Sequence, residues 1–277
     1  MYIRNAILFS LTIILVAGCS GTKDNRPLDS RFVVFGPSLV ELMYASGLGN
    51  RIVGIDRYSN WPEETGNLSR VGGYVDPLLE KIASLNPTSI HVSGESAVLM
   101  ELAATLGIPC YSYHFDKLDD IFNSLDSLDA RYGVDASDFR RELAEKLDSL
   151  KALMGDASPI SAMIVVYHET GSSSMTVAGQ STYFADILSS VNCEISAPGI
   201  GSWPMISAEG VIDMSPDHII CMYPGRSDTA AVIAAEESYF AQLGFEPGQV
   251  HCLFEPYLLI PGARTGKTAE RICSCLF

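Results

Sequence analysis

The sequence predicts an α/β protein of two lobes with mainly parallel sheets, joined by one long rigid α-helix. Three observations carry this expectation. From Phe32 onward short apolar runs alternate with segments of 3.6-residue period, and strands separated by helices imply parallel sheets covered on both faces. Asp135 to Met154 is the longest helical pattern and holds no Gly or Pro. The segments on either side of it carry an internal repeat.

In chain order, FVVFG (32–36) reads as a strand, Ser38 to Ala45 as a helix closing at Gly47, and RIVGID (51–56) as a strand. Asp76 to Asn86 reads as a helix with Asp76 as N-cap and Pro77 at its first position. SIHVS (89–93) is a strand, Ser96 to Leu106 a helix, PCYSYH (109–114) a strand and Leu118 to Tyr132 a helix. In the long segment, Phe139, Leu143, Leu147, Leu150 and Met154 form one apolar stripe, as a helix spanning roughly 30 Å would show. Afterwards MIVVY (163–167), IICMY (219–223) and VHCLF (250–254) read as strands. Helices are expected from Thr182 to Val191, Ala208 to Met214, Thr229 to Leu243 and from Thr265 onward. The predicted division is 1–18 leader, 19–31 tether, 32–134 first lobe, 135–155 connecting helix and 156–277 second lobe.

Hydrophobic residues make up 47% of the 277 and charged ones 18%, enough for a core and unlike a disordered chain. Thirty-three acids against 18 bases give a formal charge of −15. With no Lys/Arg run of five or more, nucleic acid is not an expected partner. Ala6 to Ala17 is an apolar run too short to span a bilayer and suits a signal peptide. Val16-Ala17-Gly18-Cys19 follows it and resembles a lipobox, which implies a lipid-bearing Cys19 and an exported, membrane-anchored chain. No C-x-x-C occurs among the seven Cys. Cys193 with Cys273 or Cys275 is the candidate disulfide.

The repeat lays Gly73–Ile90 over Ser202–Ile219 without a gap. In each copy an aromatic, Tyr74 or Trp203, precedes a Glu, Glu80 or Glu209, by six residues. Generic helix-to-strand grammar explains the apolar and Pro matches but not the aromatic and the acid. Two related lobes, each presenting one of each, suggest a two-jawed object with a ligand cleft between.

Pro37-Ser38-Leu39-Val40-Glu41-Leu42, Gly47-Leu48-Gly49-Asn50-Arg51-Ile52-Val53-Gly54, Tyr58-Ser59-Asn60-Trp61-Pro62, Val71-Gly72-Gly73-Tyr74 and Trp203-Pro204 before Ser207-Ala208-Glu209 together resemble a known family. It is that of the solute-binding proteins of bacterial ABC importers, in the class with Rossmann-like lobes joined by a rigid helix. Its members carry cobalamin, haem and iron–siderophore complexes, and the cobalamin binders stand nearest. The resemblance implies a monomeric carrier without catalytic residues or a cofactor of its own. It also implies a corrinoid or metal-chelate ligand and an ABC permease with its ATPase as partners. Tyr58, Tyr74, Trp61 and Trp203 would line the cleft, and Glu80 and Glu209 would dock to permease arginines.

Each residue also has a plainer reading: Glu80 and Glu209 as solvent-facing helix acids, Tyr74 as a packing residue. His168, ending an apolar strand, is a candidate ligand to a metal centre in the cargo or a capping histidine. Arg57, Arg226 and Arg264 are the basic candidates for an anionic ligand edge. Enzyme motifs fail: in Gly262-Ala263-Arg264-Thr265-Gly266-Lys267-Thr268, Pro261 stands where a P-loop needs Gly. His168-Glu169 does not continue as H-E-x-x-H, and no G-x-S-x-G occurs. The alternative of another class is an exported lipoprotein enzyme or accessory factor on the same fold.

Overall fold

The computed structural model describes residues 30–154, 160–169, 172–199 and 201–276. The expected leader, the expected lipidation site Cys19 and the expected tether up to residue 29 lie outside the described residues. The first lobe runs β1 (Phe32–Phe35), α1 (Pro37–Ala45), β2 (Ile52–Ile55), β3 (Ser69–Arg70), α2 (Leu79–Ser84), β4 (Ser89–Ser93), α3 (Ala97–Leu106), β5 (Cys110–Tyr113) and α4 (Leu118–Tyr132). Its five strands form one parallel sheet in the order β3-β2-β1-β4-β5. Helices cover both faces, so β1 is buried along its whole length and reads as an unbroken apolar run.

The long helix α5 (Ser137–Met154) leads to the second lobe. There β6 (Ile160–His168), β7 (Ser174–Val177), α6 (Tyr183–Ser190), β8 (Cys193–Ile195), β9 (Met205–Ser207), α7 (Ala208–Met214), β10 (His218–Met222), α8 (Thr229–Gln242), β11 (Val250–Leu253) and α9 (Thr265–Cys273) follow. The sheet order is β11-β10-β6-β7-β9, with β8 paired to the first half of β6. β7 runs antiparallel to both β6 and β9. Ser96, Thr182 and Ser207 cap α3, α6 and α7 by accepting a backbone N–H in the first turn.

The helix expected from Asp76 to Asn86 is shorter and starts later. Gly72, at φ +93°, turns the chain so that Leu78 N–H donates to the Val71 carbonyl at 2.9 Å. The Asp76 carboxylate is taken by Arg57, so Asp76 caps nothing and α2 begins at Leu79.

One apolar cluster passes through both lobes. It takes Phe32, Leu39, Ile121 and Leu125 from the first, Leu150 from α5, and Ile164, Phe184 and Ile272 from the second. α5 packs chiefly on α6 and α9. Leu143 and Leu150 of its stripe are buried, and Lys146 meets Glu270 of α9 at 2.8 Å. Arg140 ties it to α4 through Asp126 and by standing 5.0 Å from the Phe122 ring centroid. A shared core and a braced strut leave little room for hinge closure. Small-angle scattering with and without ligand should show the radius of gyration changing by less than about 1.5 Å; a larger fall would identify a moving hinge.

The Cys193–Cys273 bridge expected from the sequence is absent: all six cysteines among the described residues are free thiols. Both lie inside the shared core. Burial pushes Cys193 up to about 12 and Cys273 up to about 11, so they serve as small apolar groups. Among the described residues no helix is long and apolar enough to cross a membrane.

Candidate functional site

Ligands of open α/β sheets bind beyond the strand C-termini where the strand order reverses, which in the first lobe is between β1 and β4. Tyr74 closes that crevice. Its hydroxyl lies 2.8 Å from the Phe35 carbonyl oxygen and 2.9 Å from that of Ser93, donating to one at a time. Burial raises its pKa, which keeps the donor protonated. Gly36 between them is at φ +111°. A Cβ there would stand 2.4 Å from Ser93 Cβ and 2.7 Å from the Tyr74 hydroxyl, so the crevice floor admits only glycine. Tyr74 is thus half-buried and hydrogen-bonded, a floor rather than a free ring.

The next loop is held from beneath. The Asp56 carboxylate, fully buried, accepts from Gly36 N–H at 2.8 Å, Tyr58 N–H at 2.7 Å and Ser59 Oγ at 2.6 Å. Arg70 donates to the carbonyls of Asp56 and Ser59. A loop pinned this way presents its outward side chains in fixed directions, and those are Tyr58, 59% exposed, and Trp61, 38% exposed. Aromatic rings this open are binding surface where they meet a second wall.

The second lobe supplies the wall. The loop from β11 to α9 brings Arg264 to 4.7 Å from the Trp61 ring centroid and 5.1 Å from that of Tyr257. Arg264 donates from Nε (3.1 Å) and Nη2 to Oε1 of Glu41 on α1. The Glu41 side chain is 1% exposed and that of Arg264 11%. Burial raises the Glu41 pKa against the opposing pull of Arg264. Pro37, Glu41, Tyr58, Trp61, Ile260 and Arg264 enclose a cavity of about 210 Å³ between the lobes. Alone it is below the usual range for small-molecule sites, so it suits one edge of a larger ligand lying in the open mouth.

Trp203, 45% exposed, is an open ring on the second lobe. Its loop is fixed by Gly179 N–H donating to Ser202 O at 2.8 Å, and its ring meets Phe184 edge-on at 6.3 Å. The neighbouring Gln180 carbonyl accepts from Lys117 of the first lobe at 3.0 Å. The repeat aromatics therefore differ: Trp203 is presented and Tyr74 is not.

Two expectations change. His168 is buried beneath α8, with Nδ1 3.0 Å from both Glu236 oxygens and Nε2 3.2 Å from the Ser172 carbonyl. The Glu236 hydrogen bond raises its pKa. With both nitrogens committed inside the lobe, it is a structural histidine and no ligand to a cargo metal. Arg57, Arg226 and Arg264 are not open basic contacts either, since each is paired with an acid: Asp76, Asp228 and Glu41. Among the described residues no group of three or more His, Cys, Asp or Glu side chains is placed to hold a metal ion.

Glu80 and Glu209 are exposed and have no ion-pair partner among the described residues. Each is the second residue of a short helix, α2 or α7, where the helix dipole favours an acid. Two positions on, Ile82 and Val211 are fully buried and fix each acid to its lobe. The repeat is therefore real in three dimensions at this point.

A family model described as periplasmic binding protein matches residues 33–242. The chain belongs to the periplasmic binding protein family. That membership implies a periplasmic location. The vitamin B12-binding protein of Vibrio parahaemolyticus is 26% identical over 210 residues, 75% of each chain. Two solved structures share the fold. The periplasmic heme binding protein HutB of Vibrio cholerae has TM-score 0.76 at 20% identity, covering 90% of this chain and 99% of HutB. The periplasmic vitamin B12 binding protein BtuF of Vibrio cholerae has TM-score 0.72 at 22% identity, covering 89% of this chain and 96% of BtuF.

For a periplasmic binding protein the sequence reading omitted Asp56, the residue that aims Tyr58, and Glu41, the partner of Arg264. Glu41 had a signal: it is a lone acid between Val40 and Leu42 on a helix otherwise rich in apolar residues. Asp56, following the β2 run, had none that separates it from any strand-end acid.

Proposed function

We propose that the chain is the ligand-capturing component of an ABC importer for cobalamin or a related corrinoid. Held at the membrane through a lipid on Cys19, it would deliver the ligand to the permease without catalysing a reaction. Residues 32–134 and 156–277 act as the jaws and 135–155 as the strut. The observation that carries this reading is the pair of open aromatic rings, Tyr58 and Trp61, on the inter-lobe cavity, with Trp203 a further open ring on the second lobe. Flat rings with few rotamers suit the broad face of a macrocycle, and Tyr74 supports them from the floor. Relatives with vitamin B12 in their names support the same choice. The second reading is haem, favoured by the fold-level likeness to HutB.

Calorimetry with cyanocobalamin, haemin and several ferric siderophores tests the proposal. The expected result is tight, non-turnover binding of cyanocobalamin. No heat with it, beside sub-micromolar binding of another ligand, would replace the first choice. Trp203→Ala should weaken binding by about 1–3 kcal/mol, as loss of an aromatic anchor does. An unchanged Kd would remove Trp203 from the site.

A further inference from the structure

We propose that Glu41 and Asp76 set the charge selectivity of the ligand site. By cancelling the guanidinium charges of Arg264 and Arg57, they suit it to ligand edges bearing uncharged amides and set it against edges bearing carboxylates. The proposal rests on the reading of the lobe junction as the ligand site. Both arginines stand beside the open aromatics, Arg264 over Trp61 and Arg57 5.9 Å from the Tyr58 ring centroid. Each has its own acid, Arg264 with Glu41 and Arg57 with Asp76.

The two pairs differ in kind. Glu41 is buried and shares the inter-lobe cavity with Asn60, whose side-chain amide both donates and accepts. Arg264 spends Nε and Nη2 on Glu41, while Nη1 makes no hydrogen bond among the described residues. A neutral ligand carbonyl can accept from Nη1 at little desolvation cost. A ligand carboxylate would have to shed its hydration beside an ion pair of no net charge, with the Glu41 carboxylate close by repelling it. Asp76 and Arg57 are exposed, with side chains 62% and 44% accessible, so their influence is screened by solvent.

Two ligands separate charge from shape: cyanocobalamin, and the same corrinoid with one peripheral amide hydrolysed to a carboxylate. The wild type should prefer the amide form. Glu41→Gln leaves Arg264 uncancelled and should move the ratio of the two affinities about tenfold towards the acid form, the equivalent of one pKa unit. Asp76→Asn should move it the same way by about twofold, and less in high salt. Asp76 is exposed and its replacement leaves the core intact, so this variant decides the matter if Glu41→Gln does not fold. An unchanged ratio in the folded variants overturns the proposal. Tighter wild-type binding of haemin, which carries two carboxylates, than of either corrinoid also overturns it, and leaves the carrier reading standing. Binding of neither corrinoid nor haemin overturns that reading and this inference together.

Discussion

Replacing Arg264 by Met alone should destabilise the protein by about 3–5 kcal/mol, because it strands the buried Glu41 carboxylate without a counter-charge. The double change Glu41→Leu with Arg264→Met should cost far less, since an apolar pair of similar volume removes the desolvation penalty along with the attraction. Urea unfolding of the wild type, both singles and the double gives the coupling directly. Acid should soften the single mutant's defect. The folded-state pKa of Glu41 is already above the ordinary value of 4.5, and removal of Arg264 raises it further. Below 4.5 the group is protonated in both states and the penalty vanishes. As pH rises from there towards the folded pKa the penalty grows, so the defect should be larger at pH 8 than at pH 5. Equal destabilisation by the single and the double would mean that Arg264 acts only by filling space.

If Glu80 and Glu209 dock to the permease, charge reversal at them should separate transport from binding. Glu80→Lys, Glu209→Lys and the double should each leave ligand affinity unchanged, because neither acid is part of the aromatic junction. Uptake into vesicles holding the permease should fall to background for the double and steeply for each single. Breaking a desolvated charge pair at a protein interface costs roughly 1–3 kcal/mol, and breaking a wet one much less. Both helices keep their buried anchors, Ile82 and Val211, so the lobes themselves are undisturbed. Normal uptake by the double mutant would reduce both residues to solvated helix acids.

Legibility in the sequence followed length and burial. The buried parallel strands stood out as apolar runs, the helices from Ser96 and Thr182 because apolar period and a capping hydroxyl agree there, and the helix from Leu118 by its period alone. β7 and β9 did not: they are four and three residues long and half-exposed, too short for a period of two to register. The start of α2 was misplaced because Asp76-Pro77 is a sound helix opening locally, and only Arg57, 19 residues earlier, claims the carboxylate. The open aromatics Tyr58, Trp61 and Trp203 were legible as large rings among turn residues. What holds them was not. Asp56, Arg70 and the Glu41–Arg264 pair work through contacts up to 223 residues apart in sequence, and composition is silent on such distances. His168 misled for the same reason, since its partner Glu236 lies 68 residues away.

The apolar cluster that runs unbroken from β1 through Leu150 to α9 also governs how the chain comes apart. Two lobes joined only by a tether would melt as separate units, each with its own midpoint. Here Leu118, Ile121 and Leu125 of α4 belong to the same packed body as Phe184, Ile187 and Ile272, so neither lobe can expose its half without opening the other's. Unfolding of either half removes the other's support, so calorimetry should show one cooperative transition rather than two. Partly open forms, with their unpaired sheet edges, stay scarce, which suits a protein that must persist outside the cell's folding machinery.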